Sequence, residues 1–210
     1  MRLGIAAGWQ PPPAAARVAA AAPPPPAYGR IVAAPRVSGD NATAGDCVET
    51  GCYNAVQTAL ARAGDLVPLP NCAVLRLYSQ LTGYVSGNPA TDNGTDPAAM
   101  FAWWQTNQIA GYRLVQAIPL PASDQATLRA TIARAGGIAC VLNLSTANQN
   151  QRVLTPDGVP GSWGKHFVWL DGYDGRIISG TSWGEAFYLD ESYFDQNFVI
   201  SVTELALVAE

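Results

Sequence analysis

The chain has 210 residues, 49% of them apolar and only 13% charged, with a net charge of −4 and a pI near 4.9. That length and apolar content suit one folded domain with a sizeable core plus an appendage. The acidic balance, with no basic run, excludes the electrostatic footprint of a nucleic-acid binder. No apolar stretch approaches the roughly 20 residues that cross a bilayer.

Residues 1–38 read as an arm. Pro11-Pro12-Pro13 and Pro23-Pro24-Pro25-Pro26 bracket an alanine-rich stretch from Ala14 to Ala22. Proline runs favour an extended, solvated backbone without internal hydrogen bonds. Such an arm cannot bury enough surface to order itself, so it is expected to bind other protein subunits, in a homo-oligomer or a virion assembly. The thin surface charge, with Lys165 the only lysine, fits covered surface and equally fits a GC-rich coding bias. Arg2 is a basic start, but Trp9-Gln10-Pro11 interrupts before any apolar signal core forms. The expected location is therefore the cytoplasm or a virion.

Residues 39–210 are expected to form the compact domain. Val48, Cys52, Ala55, Val56, Ala59, Leu60 and Ala63 fall on one helical face, and Gly64 ends the run. Val74, Leu75, Leu77, Tyr78 and Leu81 predict a second helix from Ala73 to Leu81. Gly83 to Gly94 reads as loop. Asp96-Pro97 supplies an N-cap and first-turn proline for a third helix, running to Gly111 and burying Met100, Phe101 and Trp104. Ser123 caps a fourth, with Leu128 and Ile132 one turn apart and Gly136-Gly137 closing it. The period then changes. Strands are predicted at Ile138 to Leu144, His166 to Leu170, Arg176 to Ser179, Ala186 to Leu189 and Phe198 to Val202, with Ser145 to Trp163 a long loop. Tyr173-Asp174-Gly175-Arg176 supplies a hairpin turn. Helices first and strands second give an α+β layout, a helical half packed against an antiparallel β half, with a ligand cleft between them.

The four cysteines, Cys47, Cys52, Cys72 and Cys140, contain no CxxC pair, so zinc-ligand spacing is absent. A Cys52–Cys72 disulfide is left open by the spacing. Asn88, Asp92, Asn93 and Asp96 offer oxygens but lack the twelve-residue calcium-loop pattern. No cofactor and no metal is expected. The chemistry instead gathers around Cys47 and His166, the only histidine. Gly45-Asp46-Cys47-Val48 opens the first helix, where the dipole and free N–H groups favour a thiolate. Asp46 is a helix cap whose charge opposes that effect. His166 starts a strand, and Thr181-Ser182-Trp183-Gly184 follows fifteen residues later. A nucleophile, a base and a polar orienter are thereby available. Each residue also has a plain reading: Cys47 as small core, His166 as a hydrogen-bonded strand start, Asn41 as a turn residue and Trp183 as core.

The set resembles the papain-like cysteine peptidases over roughly residues 38–205. The resemblance rests on Gly45-Asp46-Cys47, on His166-Phe167-Val168-Trp169-Leu170-Asp171-Gly172-Tyr173, and on Thr181-Ser182-Trp183-Gly184. It implies Cys47 as nucleophile, His166 as proton relay and Thr181 as orienter, standing where the family has asparagine. Ser182 also carries a hydroxyl that can accept from the ring. Asn41, six residues before Cys47, stands where the family places an oxyanion donor. Asp92-Asn93-Gly94 and Pro160-Gly161-Ser162-Trp163-Gly164 are similar to segments of papain-fold proteins found in phages and bacterial genomes. The implied activity is peptide or amide hydrolysis through an acyl-enzyme, on a peptide or amide substrate. The competing reading is a catalytically weak papain-fold structural protein of a phage head or tail.

Overall fold

The computed structural model of this chain describes residues 4–6, 10, 23–29, 34–195 and 197–210. Most of the arm, including the first proline run and the alanine stretch, lies outside the described residues. In chain order the elements are β1 (Ala27–Tyr28), α1 (Cys47–Arg62), α2 (Asn71–Thr82), α3 (Pro97–Trp104), β2 (Tyr112–Leu120), α4 (Gln125–Ala135) and β3 (Ile138–Leu144). They are followed by β4 (Val153–Leu154), β5 (Gly164–Asp174), β6 (Ile177–Ser182), β7 (Glu185–Asp190) and β8 (Val199–Ala209). The strands form one sheet in the order β2-β8-β3-β5-β6-β7-β4, with β1 added to β5. All pairings are antiparallel except β4 with β7. The α+β expectation holds.

The sheet separates two cores. On one side α1, with Val48, Cys52 and Val56, packs on Val141, Phe167, Trp169 and Leu205. On the other, Leu128 and Ile132 of α4 meet Cys140, Val168, Leu170 and Val202. Adjacent β5 residues therefore serve opposite cores, as the two-residue period of a strand requires. Phe167 reaches α1 closely enough that only glycine fits beneath its ring: a Cβ on Gly51 would lie 2.4 Å from it.

The first helix is buried nearly all round, so its polar side chains find partners inside. Asn54 receives the Val37 N–H (3.0 Å) and donates to the Val37 carbonyl (2.8 Å) and the Thr50 carbonyl (3.0 Å). Gln57 donates to the Val67 carbonyl and receives the Leu69 N–H. Thr58 receives the Trp169 indole N–H at 3.1 Å. These bonds tie flanking loops to a central rod.

Several boundaries differ from the sequence expectation. The third helix stops at Trp104, and the segment after Gly111 is strand β2, which periodicity did not reveal. It is an edge strand with a bulge between Leu114 and Gln116. An edge tolerates Pro119, and the bulge breaks the alternation a reader would count. The cap of α4 is Asp124, whose carboxylate accepts Thr127 N–H and O–H, rather than Ser123. Strand β8 continues to Ala209. No disulfide links Cys52 to Cys72: all four cysteines are free, Cys52 inside α1 and Cys72 exposed on α2. Described stretches of the first 38 residues lie on the domain itself: Ile5 and Val37 join the core and Tyr28 pairs with Tyr173.

Replacing Asn54 by alanine leaves both polar backbone groups of buried Val37 without partners. The expected loss is about 3 kcal/mol, read as a lower urea midpoint at unchanged slope.

Candidate active site

Cys47 is the first residue of α1 and is fully buried. Its Sγ accepts the backbone N–H of Phe167 at 3.4 Å. The start of α1 and strand β5 thus meet at the residue beside His166. The imidazole Nε2 lies 2.6 Å from Ser182 Oγ, and Nδ1 is buried with no hydrogen-bond partner among the described residues. The Trp183 indole stacks on the imidazole at 4.4 Å and 6°. Its Nε1–H donates to the Asn41 carbonyl at 3.1 Å, joining the far wall of the site to the loop before Cys47.

Trp183 and Gly184 form the two-residue hairpin between β6 and β7, both with positive φ (50° and 76°). Such a turn matches strand twist and normally takes glycine or asparagine. A tryptophan at its first position is strained backbone, and the ring it projects covers the imidazole. The hydroxyl at the ring belongs to Ser182, whereas Thr181 donates to Asp171 at 3.4 Å. The expectation that Thr181 orients His166 is therefore revised toward its neighbour. Register decides the difference: β5 and β6 slip by one residue between Leu170 and Gly172, and a one-residue slip changes which hydroxyl meets a given face.

Asn41 is buried in the loop before α1, its Oδ1 without a partner among the described residues. Asp46 holds the N-cap position without capping through its side chain. Its carboxylate instead accepts Asp40 N–H (2.8 Å) and Thr50 O–H (3.3 Å). Glu49, in the first turn of the helix, accepts the Thr95 hydroxyl at 2.6 Å and leaves Oε2 buried without a partner among the described residues.

Burial dominates the electrostatics. It pushes the Cys47 thiol up to about 12; the N–H groups of Phe167 and Gly4 oppose the rise, and the Glu49 and Asp46 carboxyls add to it. Burial alone holds the His166 imidazole down at about 3. The pair rests as neutral thiol and neutral imidazole, not as the charge pair a helix N-terminus suggests. Burial likewise raises Asp46 to about 7 and Glu49 to about 8.

Sequence reasoning missed the parts that cover the thiol. The segment 4–6 crosses the N-terminus of α1. Thr95 N–H donates to the Gly4 carbonyl (2.7 Å) and Ala6 N–H to the Thr95 carbonyl (3.1 Å), setting Ile5 parallel to Thr95. Asp92 Oδ1 accepts the Gly45 N–H (3.0 Å) and the Tyr78 hydroxyl (2.6 Å), and the Tyr78 oxygen accepts Gly94 N–H (3.0 Å). A groove of about 590 Å³ flanks Ser182 and Trp183, lined also by Arg152, Glu185, Phe187 and Tyr188. Among the described residues no cluster of three or more His, Cys, Asp or Glu side chains is placed to hold a metal ion. None of their helices is long and apolar enough to cross a membrane.

The raised carboxyls make stability pH-dependent. Below pH 4.5 Glu49 is protonated folded and unfolded, so the full stability is present. Above that the unfolded chain releases its proton while the folded one holds it up to about 8, and stability falls across this window. The slope approaches ~1.4 kcal/mol per pH unit for one group. Asp46 acts in the same sense between 3.8 and about 7. Urea midpoints of Glu49→Gln are expected to exceed those of the parent at pH 8 and to converge with them below pH 4.5.

No family model and no curated protein sequence matches the chain. Solved structures do. Xylellain, a cysteine protease from Xylella fastidiosa, superposes with a TM-score of 0.70 at 14% identity, over 98% of this chain and 97% of that one. Digestive procathepsin L 3 of Tenebrio molitor larval midgut gives 0.71 at 17%, over 97% and 75%. The bromelain protease from Ananas comosus in complex with the E64 inhibitor gives 0.59 at 16%, over 87% and 99%. The likeness spans both halves and the cleft elements between them, and this chain has the papain-like cysteine protease fold.

Proposed function

We propose that this protein is a cysteine hydrolase of peptide or amide bonds, working through an acyl-enzyme. The observation that carries the reading is the seating of Cys47 Sγ on the Phe167 N–H at the start of α1, beside a histidine held by Ser182 and roofed by Trp183. In the reaction the Cys47 proton passes to His166 as sulfur bonds to the substrate carbonyl carbon. The C–N bond breaks and the imidazolium proton goes to the departing amine. Water then attacks the thioester, losing its proton to the imidazole, and the thiol is restored as the acid product leaves. Ser182 holds the ring in the tautomer this requires. Asn41 and the Cys47 N–H serve the oxyanion, and the groove beside Trp183 receives the leaving side.

The neutral resting pair suits a closed form. Segment 4–6 must lift before substrate reaches the sulfur, and water entering with it weakens the desolvation that holds both groups neutral. A second reading draws on the same closure: a catalytically idle papain-fold component of a phage head or tail, using residues 1–38 to grip neighbouring subunits. Residence in the cytoplasm or on a virion belongs with these proposals.

Iodoacetamide labelling with mass mapping separates the two. Wild-type Cys47 is expected to label slowly. Ile5→Asp places a charge where an apolar side chain is buried, which expels the segment, and Cys47 is then expected to label fast and with dependence on His166. On this background Ser182→Ala is expected to lower kcat for a dipeptide amide by roughly tenfold or more, and Thr181→Ala by less. Slow labelling in Ile5→Asp would favour the idle component.

A further inference from the structure

Gly4, Gly45 and Gly94 stack backbone on backbone directly before the nucleophile. A Cβ built on Gly4 would lie 1.9 Å from the Gly45 oxygen and 2.2 Å from its carbonyl carbon. A Cβ on Gly94 would lie 2.5 Å from the Gly4 carbonyl carbon and oxygen. One on Gly45 would lie 3.2 Å from Gly4 Cα and 3.3 Å from Gly94 Cα. At Gly4 and Gly94 these obstacles are all backbone, so no side chain can rotate aside to make room there; at Gly45 the nearest atom is Asp92 Oδ1, at 2.8 Å, which its bonds to Gly45 and Tyr78 hold in place.

Nor can the walls part easily. Gly45 and Gly94 are joined through Asp92 and Tyr78: Asp92 accepts from Gly45 N–H and Tyr78 O–H, and Tyr78 accepts from Gly94 N–H. Tyr78 is buried and packs on Tyr84, with ring centroids 4.9 Å apart. Widening the slot breaks charge-assisted hydrogen bonds inside the protein. Beyond Gly4 the segment is held by an isolated parallel bridge to Thr95, through main-chain bonds, with the Ile5 side chain in the core. Main-chain bonds are also what hold an extended peptide on a receptor backbone.

We propose that the substrate of this site is an extended peptide carrying glycine over Cys47 and a buried apolar residue next to it, with segment 4–6 showing the fit. The inference rests on the hydrolase reading above. Gly4 turns its N–H toward the sulfur and gives its carbonyl to Thr95. A peptide laid in the opposite sense offers a carbonyl where the segment offers an N–H, and the glycine carbonyl then becomes the one attacked. The bond cut is the one that follows that glycine.

The test uses the full chain. Gly4→Ala is expected to displace the segment and raise the iodoacetamide labelling rate of Cys47 roughly tenfold or more, the scale of discrimination that one methyl group supplies. Ile5→Asp then provides an open cleft for acetyl-Ile-Gly and acetyl-Ile-Ala aminomethylcoumarin amides, and kcat/KM is expected to favour glycine by a similar factor. Thermal melts of both variants confirm that the domain stays folded. Unchanged protection of Cys47 in Gly4→Ala overturns the slot. Equal rates on the two amides also overturn it, while leaving the hydrolase reading intact. An open, freely labelled Cys47 that cuts neither amide and no longer peptide overturns the hydrolase reading, and the substrate assignment with it.

Discussion

A helix without a solvent face organises this molecule. Burial of α1 removes water from Asp46, Glu49, Thr50, Asn54, Gln57 and Thr58 as well as from its apolar residues. A buried polar group without a partner costs about 1–3 kcal/mol, so five of these side chains each hold a segment of chain outside the helix, while Thr50 bonds Asp46 at the helix start. Asn54 holds Val37, Gln57 holds the loop after α1, Asp46 holds Asp40, Glu49 holds Thr95 and Thr58 holds Trp169. Three of these segments lie by the site: Asp40 precedes Asn41, Thr95 bonds the stretch 4–6, and Trp169 is on the strand of His166. The segments around Cys47 and His166 are therefore positioned by the same helix that begins with Cys47.

This construction carries an electrostatic consequence. A helix N-terminus favours a thiolate, yet desolvation outweighs that effect at Cys47, and the nearby carboxyls of Asp46 and Glu49 work in the same direction. His166 is subject to the same desolvation and rests uncharged. Two groups that are each costly to ionise alone lose less when they ionise together, because transfer of one proton from sulfur to imidazole creates mutually attractive charges. Under the proposed hydrolase function, opening the site would change the solvation of both groups and would need no new residue.

Much of the layout was legible in the sequence. The apolar period marked α1 and α2, Asp96-Pro97 marked the start of α3, and the change to a two-residue period marked the β half. The order of Cys47, His166 and the Thr181-Ser182-Trp183-Gly184 segment pointed to a candidate site, whose helix start, strand start and hairpin lie next to one another. Strand β2 was hidden by Pro119 and a bulge, which erase the pattern that alternation depends on. The segment 4–6 gave no sign either, since a short main-chain-bonded stretch beside proline runs has no periodicity to read.

The sequence by itself determined which residues can do chemistry and in what order they come, because residue type and spacing are properties of the chain. Only the tertiary structure decided which of them meet. The choice between Thr181 and Ser182 turns on a one-residue slip between β5 and β6. The charge state of Cys47 turns on how completely the surrounding chain excludes water. The narrowness over the sulfur turns on three glycines from positions 4, 45 and 94 being brought into one stack. Register, burial and close approach are sums over distant segments, and no local stretch of sequence contains them.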